Sequence, residues 1–395
     1  MTRHPGHDRR HFLSLSTTGL VSGAVALGSG SAQAATSLAP AALLDPYYRD
    51  LEQTIALPVA PPGPQLAADS VLTRFSVGSC NNQEGDQAFW QGIRSRDPQL
   101  FLYIGDCVYG DPGWDGGADL GSLRRAYEYL NGRAEFRDFR RAVPMLTVWD
   151  DHDFGFNDGG AVFPFKRWSE HIYETFWNAP DDVREREGVY HARTYGPPGR
   201  RVQIILLDTR FQRSDLVLPP VGTKLPVRGR YVPDTSAGAS MLGAVQWAWL
   251  ERELQKPADL RVLVSSIQLL SDAHLWEGWE LMPGERDRLY DALAARAGGG
   301  LVVLSGDRHV GGIYRKVVPG FAQGLWEMTA SSLNRPNASN AEATAREPDP
   351  DRQGICVGDG NFGEVTIDWE RRALTLTVCR SDGVDLVSHA VDWSA

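Results

Sequence analysis

The chain has 395 residues, of which 42% are hydrophobic and 23% charged, a balance typical of a globular protein with a large buried core. Its formal net charge of −10 excludes the broad basic surface with which proteins bind nucleic acid or anionic membranes. Beyond the N-terminus, no stretch approaches the ~18 consecutive apolar residues that a membrane-spanning helix needs, so no stable membrane anchor is expected.

The first 34 residues are predicted to be an export signal. An arginine pair, Arg9-Arg10, precedes Phe12-Leu13 and a mildly apolar stretch that runs to Gly28, and the small-residue sequence Ala-Gln-Ala ends the segment at residue 34. The weak apolar run favours the twin-arginine route, which carries folded proteins to the periplasm or out of the cell. An ordinary secretory signal that contains two arginines is the alternative. Removing the segment, whose net charge is +2, takes the net charge of the chain from −10 to −12.

Residues 35–70 are rich in Ala and Pro and are predicted to be an extended lead-in with one short helix between Asp45 and Gln53. From Thr73 onward, short apolar runs alternate with segments of helical apolar spacing. The predicted strands are 74–77, 100–104, 144–149, 202–207, 261–267 and 301–304, followed by antiparallel strands at 325–329, 362–368 and 373–379. The predicted helices are 86–95, 120–129, 166–177, 244–255 and 286–296. Continuous apolar runs of this length indicate strands buried on both faces, which predicts an α/β domain over residues 71–395.

Polar clusters come directly after several of the predicted strands. They are Asp106 to Tyr109, Asp150 to Asp153, and Asp307 to His309. The carboxyl ends of parallel strands meet at one edge of an open sheet, where ligands bind. Carboxylates crowded at such an edge need a proton or a cation to neutralise them, and multivalent metal ions suit oxygen ligands with an occasional imidazole. Each cluster alone is compatible with a turn or a helix cap, but their recurrence at corresponding strand ends predicts a metal site.

The four cysteines, Cys80, Cys107, Cys356 and Cys379, are too few for a disulfide framework, and no pair has the CxxC spacing of a zinc knuckle. Cys107 lies at the end of an apolar strand and is predicted to be part of the core. Cys356 and Cys379 flank a predicted C-terminal hairpin, so a disulfide between them is left open. Cys80 differs from the others because it follows Gly-Ser at the end of the first predicted strand.

Taken in order, these motifs resemble those of the alkaline phosphatase D (PhoD-like) family, a branch of the calcineurin-like metallophosphoesterases. The matching motifs are Gly-Ser-Cys80, Gly-Asp106-x-x-Tyr109, Trp149-Asp-Asp151-His152-Asp153, Leu-Asp208-Thr-Arg210 and Ser-Gly-Asp307-x-His309. The resemblance runs from about residue 70 to the C-terminus and implies a sandwich of two β-sheets flanked by helices (α/β/β/α). It also implies that residues 71–395 form a metallophosphatase catalytic domain. A twin-arginine signal is usual for that family.

The resemblance implies a metal-ligand set for this chain. Asp106 would bridge two metal sites, and Cys80 and Tyr109 would bind a ferric ion. The remaining implied ligands are Asp151, Asp307 and His309. Calcium alongside iron is what the family implies, and zinc or manganese stays open. The chain departs from the broader superfamily because it lacks the initial Asp-x-His and the lone His after a middle strand. Near that strand stand Ser265, Ser266, Gln268 and His274, none of which is assigned as a ligand.

The implied mechanism is attack on phosphorus by a metal-bound hydroxide. His152 would protonate the leaving alkoxide, since an imidazole titrates in the useful range. Asp153 would orient His152 through a hydrogen bond. Arg210 would bind phosphate oxygens with its planar guanidinium, and a structural salt bridge from Arg210 to Asp208 or Asp215 is the alternative.

The predicted function is therefore an exported, metal-dependent hydrolase of phosphate mono- or diesters that acts on a small substrate and not on nucleic acid. A phospholipase D-like diesterase is the alternative among enzymes. A non-catalytic secreted protein that keeps the metals only for stability is the alternative outside enzymes. His152 separates the enzymatic hypotheses from the non-catalytic one, because a purely structural metal site has no need for an imidazole beside it. The natural substrate, the metal identity and the oligomeric state are left open.

Overall fold

A computed structural model describes residues 40–296, 298–336 and 340–393, so the predicted export signal lies outside the described residues. The helices are α1 (Pro40–Thr54), α2 (Phe89–Ser95), α3 (Gly121–Gly132), α4 (Ala134–Ala142), α5 (Asp151–Phe154), α6 (Lys166–Trp177), α7 (Asp181–Arg184), α8 (Gly243–Leu254), α9 (Pro283–Ala294) and α10 (Asn340–Arg346), with a 3₁₀ turn at Trp279–Leu281. The strands are β1 (Arg74–Gly78), β2 (Phe101–Ile104), β3 (Met145–Val148), β4 (His191–Tyr195), β5 (Val202–Leu206), β6 (Leu260–Val264), β7 (Gly300–Ser305), β8 (Gly311–Lys316), β9 (Leu325–Ala330), β10 (Asn361–Asp368), β11 (Ala373–Arg380) and β12 (Asp385–Asp392).

The strands form two six-stranded mixed sheets. Sheet 1 has the order β12-β11-β10-β1-β2-β3, in which β1, β2 and β3 are parallel and β10 to β12 form an antiparallel meander. Sheet 2 has the order β4-β5-β6-β7-β9-β8, in which β5, β6, β7 and β9 are parallel and the edge strands β4 and β8 are antiparallel. Seven parallel strands therefore end at the same side of the molecule.

The two sheets pack face to face, and helices cover their outer faces. On β5, Ile204 and Leu206 belong to the core that contains side chains of both sheets, whereas Ile205 packs under α8 and α9 on the outer side. The same alternation on β6 and β7 explains why these strands are continuous apolar runs, because both of their faces are buried. On the outer face of sheet 1, Trp90 of α2 contacts Phe101 of β2 with a ring-centroid distance of 5.6 Å.

The predicted sandwich of two sheets flanked by helices is confirmed, and each of the nine predicted apolar runs contains a strand. The prediction missed β4, β8 and β12, which are the outermost strands of their sheets. Edge strands expose one face or one row of backbone groups, so their sequences carry polar residues and lack the apolar run. Helix α1 covers the short helix predicted in the lead-in segment.

All four cysteines are buried free thiols, so the disulfide left open between Cys356 and Cys379 is absent. Cys356 lies in a small apolar cluster with Val310 and Ala343, and Cys379 lies on β11. Cys107 is part of the main core, as predicted. Within the described ranges, no helix combines the length and the apolar character that a membrane span requires.

Candidate metal centre

The six predicted ligands meet where the parallel strands end. Ligand atoms of Cys80, Asp106 and His309 lie within 4.8 Å of one another, and the same limit holds for a group of four carboxylates. Those carboxylates belong to Asp106, Asp150, Asp151 and Asp307. The sixth predicted ligand, Tyr109, joins the group because its hydroxyl donates to Asp106 Oδ2 at 3.3 Å and lies 2.9 Å from His309 Nε2. We call the six side chains of Cys80, Asp106, Tyr109, Asp151, Asp307 and His309 the metal centre.

Left-handed backbone turns bring four of these residues together. Cys80, Asp106, Asp307 and His309 have φ values of 59°, 47°, 63° and 55°, a conformation that is costly for residues with a side chain. Gly105, with φ of 108°, allows the close passage of the chain beside Asp150, since a Cβ atom there would lie 2.6 Å from Asp150 Cβ. The sharp turns direct the side chains back over the strand ends. Such strain is concentrated at functional sites more often than elsewhere.

The carboxylates lack enough positive charge among the described residues. Burial, together with the charges of neighbouring carboxylates, raises the pKa of Asp106 and of Asp307 well above the ordinary value. In the described part of the chain, the buried Asp151 Oδ1 has no hydrogen-bond partner. Buried carboxylates in this arrangement are stable only with added positive charge, and an orphaned acceptor oxygen provides a free ligand position. The residues present therefore fit multivalent cations.

The donor types divide into two sets that share Asp106. Cys80, Tyr109 and His309 add a thiol, a phenol and an imidazole, a mixture that suits a transition metal. Asp150, Asp151 and Asp307 add only carboxylate oxygens, which suit a hard divalent cation. Burial and the nearby charge of Asp106 raise the pKa of the Cys80 thiol, so a cation is needed to favour its thiolate form.

His152 lies beside the metal centre at the start of α5. Its Nδ1 is 2.5 Å from Asp111 Oδ1, and its ring centroid is 4.2 Å from that of Tyr109. Burial, which alone would lower the pKa of the imidazole, is outweighed by the negative charges of Asp151, Asp106 and Asp111, and the pKa rises to about 11. When the ring carries both protons, Nδ1–H donates to Asp111 and Nε2–H is left as the second donor.

The predicted hydrogen bond from Asp153 to His152 is wrong. Asp153 Oδ1 accepts the backbone N–H of Asp150 at 2.6 Å, and its Oδ2 accepts the backbone N–H of Cys107 at 3.1 Å. The reason is its position three residues after the N-cap of α5, where a carboxylate folds back to satisfy the free amides of the helix start. Asp111, and not Asp153, is the carboxylate that contacts the imidazole of His152.

The proposed salt bridges from Arg210 to Asp208 and Asp215 are wrong, and the guanidinium that was predicted to bind phosphate is occupied by two other carboxylates. The Arg210 side chain is fully buried, its Nε donates to Asp150 Oδ1 at 2.6 Å, and its Nη1 donates to Glu277 at 2.7 Å. Carboxylate partners stabilise a buried guanidinium, and here the carboxylates of Asp150 and Glu277 are those partners. The Asp208 carboxylate instead accepts backbone N–H groups, including that of Arg210 itself at 2.8 Å. Arg210 thus holds Asp150 at the edge of the metal centre.

A serine hydroxyl lies near the end of the middle strand. Ser266, two residues after β6, donates its hydroxyl to Asp150 Oδ1 at 2.7 Å. Gln268 Oε1 and His274 Nε2 lie 2.9 Å apart and satisfy each other.

Sequence reasoning missed several residues of the site. Asp111 was visible beyond Tyr109 but had no motif to mark its role. Asp158 and Glu277 form a further acidic group with Asp151, within 4.8 Å of one another. Arg335 follows β9, and its guanidinium carbon lies 4.0 Å from the centroid of the Tyr109 ring. Only its place after a parallel strand could have indicated it.

A cavity of about 430 Å³ opens beside the metal centre. Asp307 and His309 form its inner wall, and Tyr231, Trp276 and Arg228 form other parts of its lining. A space of this volume accepts a small organic group next to the metal centre.

Comparisons with known proteins identify the family and support the fold. A sequence model of the family described as PhoD-like phosphatase matches residues 170–378. The chain is 23% identical over 291 residues to alkaline phosphatase D of Bacillus subtilis (strain 168), a match that covers 62% of this chain and 47% of that protein. The chain thus spans about half the length of this curated relative. A solved structure described as "Structure of PhoD" has a TM-score of 0.62 at 17% identity, covering 86% of this chain and 74% of its own, and it supports the fold.

Proposed function

Because the chain belongs to the PhoD-like phosphatase family, we propose that it is an exported hydrolase of small phosphate esters that acts at the metal centre. The observation that carries the proposal is the convergence of the metal centre around Asp106, with His152 beside it. Four carboxylates brought together in a buried site lower the stability of the fold unless cations bind there. Groups of residues that destabilise the fold are expected at sites where the same residues bind a ligand or take part in catalysis.

The donor chemistry supports the assignment of two kinds of metal ion. In our proposal Cys80, Asp106, Tyr109 and His309 hold a ferric ion. The carboxylates of Asp106, Asp150, Asp151 and Asp307 hold a hard divalent cation such as calcium, and zinc or manganese are the alternatives to be separated by elemental analysis. When bound, the cations would supply an activated water nucleophile and neutralise charge on the phosphoryl oxygens.

His152 is proposed to be the general acid. Its hydrogen bond to Asp111 fixes the ring and leaves Nε2–H to protonate the departing oxygen of the ester. The side chain is 15% exposed, so it reaches the surface where a substrate can enter. The position of Asp111 supports its role as a positioning residue for His152.

Arg335 is proposed to bind the non-bridging phosphate oxygens, the role that Arg210 cannot take. Its side chain is exposed and stacks over the ring of Tyr109, so its charge lies against the metal centre. In the described ranges, no carboxylate lies within ion-pair distance of it. A planar guanidinium with free N–H donors at this position matches two oxygens of a phosphate.

The cavity beside Asp307 and His309 is proposed to receive the organic part of the ester. Its half-buried Trp276 supplies an apolar surface, and its exposed Arg228 supplies positive charge. These features favour a small ester.

The test is hydrolysis of p-nitrophenyl phosphate and its bis ester by the purified, metal-analysed protein. His152→Ala should keep the metal content and the folded state but lose about a hundredfold or more of the activity, a typical contribution of a general acid. His389→Ala, on β12, is the matched control and should remain active. A wild-type protein that binds metal but cleaves neither ester would establish the non-catalytic alternative.

Export through the twin-arginine route is part of the same proposal and is supported by the sequence of residues 1–34. Changing Arg9 and Arg10 to lysine should retain the full-length protein inside the cell. Unchanged export of this variant would favour the ordinary secretory signal.

A further inference from the structure

A second cavity, of about 720 Å³, lies between the edge strands of the two sheets, away from the metal centre. Strand β3 of sheet 1 and strand β4 of sheet 2 contribute to its walls, and part of the lead-in segment, residues 59–63, covers it. None of its lining residues belongs to the metal centre. The cavity is therefore a separate feature of the fold.

Arg140 of α4 lines this cavity and is only 8% exposed. Its Nε and Nη1 are buried without a hydrogen-bond partner among the residues that the structure describes. Within the described ranges, no carboxylate lies within ion-pair distance of its guanidinium, and burial is the cause that lowers its pKa. The backbone of Gly63 packs directly on the guanidinium, since a Cβ atom there would lie 2.2 Å from Nη1.

A guanidinium stays charged at every pH at which the protein is folded, so it cannot escape burial by losing its proton. An unpaired buried charge costs several kcal/mol, and folded proteins pair such groups. Two other deeply buried arginines follow this rule, because Arg210 is paired with Asp150 and Glu277, and Arg213 lies 3.1 Å from Glu277. Among the described residues, Arg140 therefore lacks the counter-charge that its position requires.

The remaining lining of the cavity shows what could supply that charge. Arg193 is already paired with Asp182 at 2.9 Å. Burial and the charge of Arg193 lower the pKa of His191 to about 4, so this histidine is neutral and adds no competing cation. Met145 and Trp177 form apolar parts of the wall. The carboxylate in the lining, Asp181, is exposed and forms no ion pair with Arg140. The cavity thus combines a cation that is unpaired among the described residues with apolar surface, in a volume within the range of small-molecule sites.

We propose that this cavity binds an organic anion whose carboxylate or phosphate group pairs with Arg140. The apolar part of the ligand packs on Met145 and Trp177. The volume is far larger than an inorganic anion needs, which is why an organic acid is the class of ligand that fits. This site is independent of the proposed hydrolysis.

The test is thermal unfolding of the whole protein with hexanoate and benzoate at millimolar concentrations, and with hexanol and benzyl alcohol as neutral counterparts. The acids should raise the Tm of the wild-type protein by a few degrees, and the alcohols should not, because binding to the folded state alone stabilises it. Arg140→Met should abolish the response. Its Tm without ligand should equal or exceed that of the wild-type protein, since it removes an unpaired buried charge.

Arg137→Met, on the exposed face of the same helix, is the matched control and should keep the response to the acids. Hydrolysis of p-nitrophenyl phosphate should be unchanged in both variants, which separates this site from the proposed activity. If Arg140→Met unfolds at a lower temperature and the wild-type protein ignores the acids, Arg140 is a structural residue and the proposal is overturned. A response to chloride or inorganic phosphate as large as the response to the acids would show adventitious ion binding only and would also overturn it.

Discussion

Replacing Asp111 by asparagine tests which residue orients the proposed general acid. The Asp111 carboxylate lies 2.5 Å from His152 Nδ1, and both side chains are 15% exposed. Asparagine keeps the size and an acceptor oxygen but removes the negative charge. The variant should therefore fold and bind metal while holding the imidazole less firmly in its protonated, oriented form.

The size of the effect follows from the kind of hydrogen bond that is lost. A hydrogen bond to a charged group contributes about 1.5–3 kcal/mol, and partial exposure of both groups places this one near the lower end. Since about 1.4 kcal/mol corresponds to a factor of ten in rate, we expect kcat to fall about ten- to thirtyfold. The loss should be greater for alkyl phosphates than for p-nitrophenyl phosphate, because an alkoxide depends more on proton donation than a stable phenolate does.

The assay is the measurement of kcat for a series of esters with leaving groups of increasing basicity. Asp153→Asn is the control, because Asp153 accepts two backbone N–H groups and does not contact His152. This control should lower the free energy of unfolding by about 1–2 kcal/mol, the usual effect of losing a buried helix cap. A loss of activity in Asp111→Asn that is equal for all leaving groups would refute the reasoning, and so would a leaving-group dependence that appears in Asp153→Asn instead.

Three further predictions concern other parts of the molecule. Cys80→Ser should reduce the iron content and bleach the visible absorption expected of a ferric thiolate or phenolate site, whereas a colourless and fully active wild-type protein would defeat the iron assignment. Arg335→Gln should leave the Tm unchanged and raise KM about tenfold. Arg210→Met should instead lower the free energy of unfolding by about 3–5 kcal/mol, because it leaves the charge of Asp150 buried and unpaired. The reverse pattern would indicate that Arg210, and not Arg335, contacts the substrate. Burial raises the pKa of Glu170 from 4.5 to about 8. Between these pH values the folded protein keeps a proton on Glu170 that the unfolded protein has lost. The free energy of unfolding should therefore fall as the pH rises through that window. Glu170→Gln should flatten this part of the stability profile, and an unchanged slope in urea unfolding would contradict the assignment.

The fold could be predicted where both faces of a strand are buried. Residues 202–207 form a continuous apolar run because Ile204 faces the other sheet and Ile205 faces the helices. Strands such as β4 and β12 were missed because they bury one face or none. Their sequences therefore carry polar residues and lack a continuous apolar run. Helix α4 was also missed, and with it the environment of Arg140.

The meeting of the six residues of the metal centre could be predicted because each of them follows its strand within a few residues. Cys80 and Asp106 stand next to glycine or serine at turns, so their place at a strand end was visible in the sequence. Their partners were not visible. Asp111 and Asp153 are both acidic residues near His152, and the sequence does not distinguish them. Only the path of the backbone directs Asp111 to the imidazole and Asp153 to free backbone amides.

The sequence by itself determined which side chains are present at the ends of the parallel strands, because period, turn residues and strand length are local properties of the chain. The tertiary structure alone decided which charges pair. Arg210 has Asp150 and Glu277 as partners, Arg335 faces the metal centre without a carboxylate, and Arg140 lies buried without one among the described residues. The physical reason is that the energy of a charge depends on burial and on neighbours distant in the sequence, and neither is encoded in the local pattern of residues.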